Sequence, residues 1–126
     1  MVAVTCALLL GAPPAATHEG KAFDCRAFGD IPYVVTHSPT HVRMLAWGEF
    51  HCTSAGTLSV QVCAARVPAG LDPKPIWCTY SRIEVAAGHK VFVRTRAHAC
   101  AQTARYVSYV RILGHPWDRG PAGICR

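Results

Sequence analysis

Acidic side chains are scarce in this chain: seven Asp and Glu stand against thirteen Lys and Arg, for a net charge of +6. With so few carboxylates and no obvious pair among them, the two flanking acids of a glycosidase have little support. Neither G-x-S-x-G nor H-E-x-x-H occurs, which removes the α/β-hydrolase nucleophile and the zincin helix from consideration. There is no C-x-x-C and no compact Cys/His cluster, so neither a zinc knuckle nor a thioredoxin-like redox pair is expected. Past the N-terminal segment no run approaches the eighteen or more apolar residues that a membrane-spanning helix needs. Internal repeats, low-complexity tracts and sustained helical periodicity are missing too, apart from one turn's worth of helix over 99–105. Neither a cofactor nor a metal is expected.

What is abundant is cysteine. Cys25, Cys52, Cys63, Cys78, Cys100 and Cys125 are spread over the body, and a seventh, Cys6, sits alone in the apolar N-terminal run. Met1–Ala16 has the length of a signal-peptide apolar core followed by Pro13, Pro14 and small residues, so cleavage after Ala16 is expected. Its first residues carry no Lys or Arg, which fits either a true start further upstream or a weak signal. Removal leaves a single domain, residues 17–126, with six cysteines, the even count of a disulfide framework made in an oxidising compartment. The expected location is therefore extracellular, with Cys6 bonded to nothing in the mature protein.

Between His41 and Leu113 the periodicity is two. Val42, Met44, Ala46, Gly48 and Phe50 alternate with Arg43, Leu45, Trp47, Glu49 and His51; Leu58, Val60 and Val62 alternate with Ser59, Gln61 and Cys63. Further runs at Ile76–Val85, Lys90–Ala97 and Arg105–Leu113, and a short one at Ile31–Thr36, give five or six strands separated by Gly- and Pro-containing turns. This predicts an all-β domain, an antiparallel β-sandwich or flattened small barrel stapled by disulfides. A hairpin loop centred on Gly70 and Leu71 makes opposed residue numbers sum to a constant, which sets Cys63 against Cys78, Gln61 against Tyr80 and Ser59 against Arg82. A Cys63–Cys78 bond follows. Of the three ways to pair the other four, Cys25–Cys125 with Cys52–Cys100 is favoured, the first tying both ends and the second joining the sheets.

The same alternation puts Leu58, Val60, Val62, Ile83, Val91 and Val93 inside. Outside it collects Tyr80, Arg82, Phe92, Arg94 and Arg96, joined by Tyr109 and Arg111 of the last strand. Arginines interleaved with rings can fork onto anionic groups and stack on planar ones, so the two tyrosines and four arginines among them are the candidate anion- or partner-binding face. A solvated sheet face whose Arg stems cover apolar surface is the competing reading. Seven histidines invite catalysis or metal binding. His37 and His41 are spaced as on a helix, but Pro39 lies between them. A ribonuclease-like acid–base pair would draw on His51 and His98 with Arg94 or Arg96. The loop Pro68–Pro75, braced by prolines, could present a substrate-like strand to a hydrolase.

The segments GEFHCTSAGTLSVQVCA, WCTY, VFVRTRAHAC and YVSYVRI, within Ala46–Ile112, resemble small secreted β-rich proteins of actinobacteria, mostly without assigned function. The resemblance implies a disulfide-stapled sandwich and secretion, and transfers no site. Three functions are carried forward: a secreted non-catalytic binding module for an anionic polymer or a partner protein, a small basic hydrolase or toxin of ribonuclease type, and a secreted enzyme inhibitor. Their distinguishing feature is whether His51, His98 and an arginine share one cleft.

Overall fold

A computed structural model describes residues 24–38, 41–67 and 74–126. Ten strands account for most of them: β1 (Cys25–Gly29), β2 (Tyr33–Ser38), β3 (His41–Leu45), β4 (Trp47–Cys52), β5 (Gly56–Arg66), β6 (Lys74–Val85), β7 (Lys90–Arg94), β8 (His98–Ala99), β9 (Arg105–Ile112) and β10 (Asp118–Ile124). No described residue is helical, including the 99–105 turn. Cys6 and all but the last two residues of the Pro68–Pro75 loop lie outside the described residues.

All strand pairings are antiparallel. Four strands form one sheet in the order β10-β9-β5-β6. The facing layer is three strands wide and interrupted halfway, giving β1-β4-β7 at one end and β2-β3-β8 at the other. The interruption crosses all three strands: Asp30–Pro32 between β1 and β2, Ala46 between β3 and β4, and Thr95–Ala97 between β7 and β8. Buried Pro32, which has no N–H to give a ladder, sits in the first break. The breaks are laced together, as Asp30 N–H donates to the Trp47 carbonyl (3.0 Å) and Thr95 N–H to the Ala46 carbonyl (2.8 Å). The result is an open sandwich and not a closed barrel.

Period-two patterning explains the layers. Phe50, Leu58, Val60, Val62, Ala64, Val85, Val93, Val110 and Ile112 meet between the sheets, and Val42, Met44, Tyr106 and Cys125 fill a second cluster under the β2-β3-β8 end. Each large aliphatic or aromatic side chain so buried contributes about 1.5–3 kcal/mol. Where β1 passes β10 the approach is closer than side chains allow: a Cβ built on Gly120 would lie 2.5 Å from the Gly29 carbonyl oxygen.

Cys63 and Cys78 are opposed and bonded, with Gln61 facing Tyr80 and Ser59 facing Arg82 as the hairpin register requires. The other two pairings are corrected. Cys25 bonds Cys52, and Cys100 bonds Cys125; neither Cys25–Cys125 nor Cys52–Cys100 forms. β1 lies directly beside β4, with Cys25 opposite Cys52. The C-terminal strand returns along β9, bringing Cys125 N–H to the Ala104 carbonyl (2.9 Å) and so to the turn after Cys100.

Candidate functional site

The six residues of the expected face do not share one surface. Gln61 and Arg111 oppose each other on β5 and β9, as do Cys63 and Tyr109, all pointing away from the core. Tyr80 and Arg82 extend that face across β6. Its side chains are largely committed to one another. The Gln61 side-chain amide donates to the Tyr80 hydroxyl (2.8 Å), Arg111 Nε donates to Gln61 Oε1 (2.9 Å), and the Arg111 guanidinium lies 4.4 Å from the centre of Trp117, which itself stacks on Tyr109 at 4.8 Å.

Arg94 and Arg96 belong to the opposite surface. The turn after β6, with Gly88 at a φ of 72° and its N–H on the Cys52 carbonyl, carries the chain across the core. β7 therefore enters the facing layer beside β4. Alternation correctly assigned Val91 and Val93 to the interior, but a strand that changes sheets turns its other side to the opposite side of the molecule. Arg96 is exposed in the break after β7.

Around Arg94 that outward face is unusually aromatic. Tyr33, Leu45, Trp47, Phe92 and Arg94 line a groove of about 390 Å³ at the break in the three-stranded layer. Tyr33 is 63% exposed and Phe92 56%. Trp47 and Phe92 are tilted ring neighbours at 5.7 Å, and the Trp47 indole N–H donates to the Ile31 carbonyl (2.8 Å), which fixes the ring with its face outward. No described carboxylate reaches Arg94 within ion-pair distance, whereas Lys90 is held by Glu49 at 3.4 Å. The sequence carried two signals for this groove: Leu45 and Trp47 alternate with the core residues of 42–50, so two large apolar side chains occupy the face that should be polar, and Phe92 and Arg94 share the outward side of their strand opposite Val91 and Val93.

Next to Trp47 on the same face lie Asp30 and Glu49. Glu49 Oε1 is 3.3 Å from His51 Nε2, and His51 packs edge-on against Phe28 at 5.3 Å. Burial, then hydrogen bonding and repulsion from Glu49, push Asp30 up to about 6, against the opposing pull of Lys90; Asp118 adds to the rise. The hydrogen bond from Asp30 holds Glu49 below its ordinary value, helped by His51 and Lys90 and opposed by burial. Asp30 Oδ2 is buried without a donor among the described residues, consistent with a carboxyl that holds its proton up to a pH of about 6. Because Asp30 titrates higher in the folded state than its ordinary 3.8, its stabilising contribution is complete below that pH and lost as pH rises through about 6. Glu49 acts oppositely, and only below its ordinary 4.5. Melting temperatures of the wild type should therefore fall between pH 4.5 and 7. Asp30→Asn should flatten that slope and exceed the wild type at neutral pH by on the order of 1 kcal/mol, after allowance for solvent screening. Parallel pH profiles for the two proteins would contradict the assignment.

His51 and His98 are not brought together. His51 points outward with Glu49, while His98 stands opposite inward-facing Met44 and stacks on Trp77 at 4.8 Å. The two imidazoles thus lie on opposite sides of the three-stranded layer. Comparison with protein-family models, curated proteins and solved structures finds no match to this chain.

Proposed function

We propose that this protein is a secreted, non-catalytic binding module that holds its ligand on the outward face of the three-stranded layer. The carrying observation is the groove of Tyr33, Leu45, Trp47, Phe92 and Arg94, an exposed aromatic surface with one uncommitted cation. A contiguous apolar patch rimmed by polar groups is the ordinary mark of a binding site on a folded domain. Separation of His51 from His98 supports a non-catalytic role. Secretion is supported by three disulfides, by the signal-like Met1–Ala16 segment and by the resemblance to small secreted actinobacterial proteins.

A pull-down of RNA, a heparin-like glycan and peptidoglycan at increasing salt tests this reading. Capture should be lost in Phe92→Ala and retained in Tyr80→Ala, both exposed substitutions that leave the fold intact. The reverse result would move the ligand surface to the four-stranded sheet and overturn the proposal.

A further inference from the structure

We infer that the groove is a subsite for an acidic saccharide, a pyranose ring bearing a carboxylate; this rests on the groove being the ligand surface. The lining combines rings with a single charged group. Trp47 has its only polar hydrogen occupied by the Ile31 carbonyl, so it presents a flat apolar face and no donor. Phe92 meets it at 41°, and Tyr33 stands across the break opposite Leu45. Such a platform accepts the apolar face of a ring, and because Trp47 is already fixed, little ordering is required on binding.

Arg94 is opposite Trp47 across the β4–β7 ladder, so its guanidinium rises beside the platform. Forked donors read a carboxylate in the plane of its two oxygens, and this fork is not taken by any described acid. The charge pattern further along β4 separates saccharides from nucleic acids. Glu49 is two residues from Trp47 on the same face, about 7 Å away by strand geometry. Glu49 is not a bare charge: its Oε1 lies 3.4 Å from Lys90 Nζ and 3.3 Å from His51 Nε2, and Lys90 in turn stands 5.9 Å from the centre of the Phe92 ring. The platform therefore has one uncommitted cation and one neutralised pair beside it, which matches one negative group per ring with hydroxyls around it, whereas a polymer carrying a phosphate on every unit is held by a row of free cations. The volume of about 390 Å³ lies in the small-ligand range of ~300–1,000 Å³ and suits one or two sugar units rather than a folded partner.

The test is titration with oligogalacturonate, its methyl ester, polyphosphate and single-stranded RNA at low salt. Oligogalacturonate should bind about tenfold more tightly than the ester, the range expected of a charge-assisted contact. Arg94→Gln should abolish that difference, Phe92→Ala should weaken both sugars about tenfold, and Tyr80→Ala should change neither. Tighter binding of RNA or polyphosphate through Phe92 and Arg94 would overturn the saccharide assignment while leaving the groove as the ligand surface. Sugar binding that survives both groove variants and falls in Tyr80→Ala would overturn the groove itself. Failure of oligogalacturonate to bind, with polymer capture in the pull-down still dependent on Phe92, would overturn the saccharide assignment alone; loss of that dependence as well would overturn both.

Discussion

Full reduction of the three disulfides is expected to unfold the domain. The bonds close loops with sequence separations of 27, 15 and 25, and the three loops do not overlap along the chain. In the chain-entropy description each bond then restricts the unfolded state independently, by about 3–3.5 kcal/mol, or about 10 kcal/mol together. That equals the whole stability of an ordinary domain, about 5–15 kcal/mol. Strand-signal circular dichroism with and without a phosphine reductant should show one cooperative melt in the oxidised protein and none in the reduced one. A reduced sample that still melts cooperatively above room temperature would show that the core alone sustains the fold. Single Cys-to-Ala pairs should divide the effect, with removal of Cys63–Cys78 costing least because its loop is shortest.

The second large effect is expected at Gly120. An added methyl there would stand 2.5 Å from the Gly29 oxygen and 2.6 Å from its carbonyl carbon, both backbone atoms that cannot rotate away. Relief requires β1 and β10 to separate. Separation would also disturb the bond from Gly29 N–H to the Asp118 carboxylate at 2.8 Å. Gly120→Ala should cost about 3 kcal/mol, the upper end for overpacking. Gly56→Ala is the control, since its added Cβ meets nothing within 4 Å. Equal melting temperatures for the two variants would mean that the β1–β10 crossing is looser than described.

The contrast between what the sequence discloses and what it hides follows from the range of each signal. The β5–β6 hairpin is local, so one loop position and the alternation of Leu58, Val60 and Val62 suffice to set its register and the Cys63–Cys78 bond. Interior positions on β4, β7 and β9 are legible for the same reason. Sheet membership is not local. Nothing in Lys90–Arg94 records that Ala86–His89 crosses the core, and on that one fact depends whether Arg94 neighbours Arg82 or Trp47. β1 and β10 were illegible in a different way. Cys25–Gly29 is too short to establish a period, and Asp118–Ile124 contains Gly120, Pro121 and Gly123, which read as loop. They are tolerated because β10 is an edge strand whose register shifts between Arg119 and Ala122. Missing those two strands also meant missing the pairings of Cys25 and Cys125. The groove is hidden by the same limit, since its five lining residues come from four strands and become neighbours only at the interruption of the three-stranded layer.

The disulfide order also has a consequence for biogenesis. Counted from the N-terminus, the first of the six body cysteines joins the second, the third joins the fourth and the fifth joins the sixth. Six cysteines allow fifteen complete pairings, and this is the one generated when each newly arrived thiol reacts with the unpaired one just before it. A chain threaded N-terminus first into an oxidising compartment meets its cysteines in that order, and each pair can close before the next thiol emerges. The topology therefore suits correct oxidation during translocation, without the slow thiol–disulfide reshuffling that interleaved bridges demand.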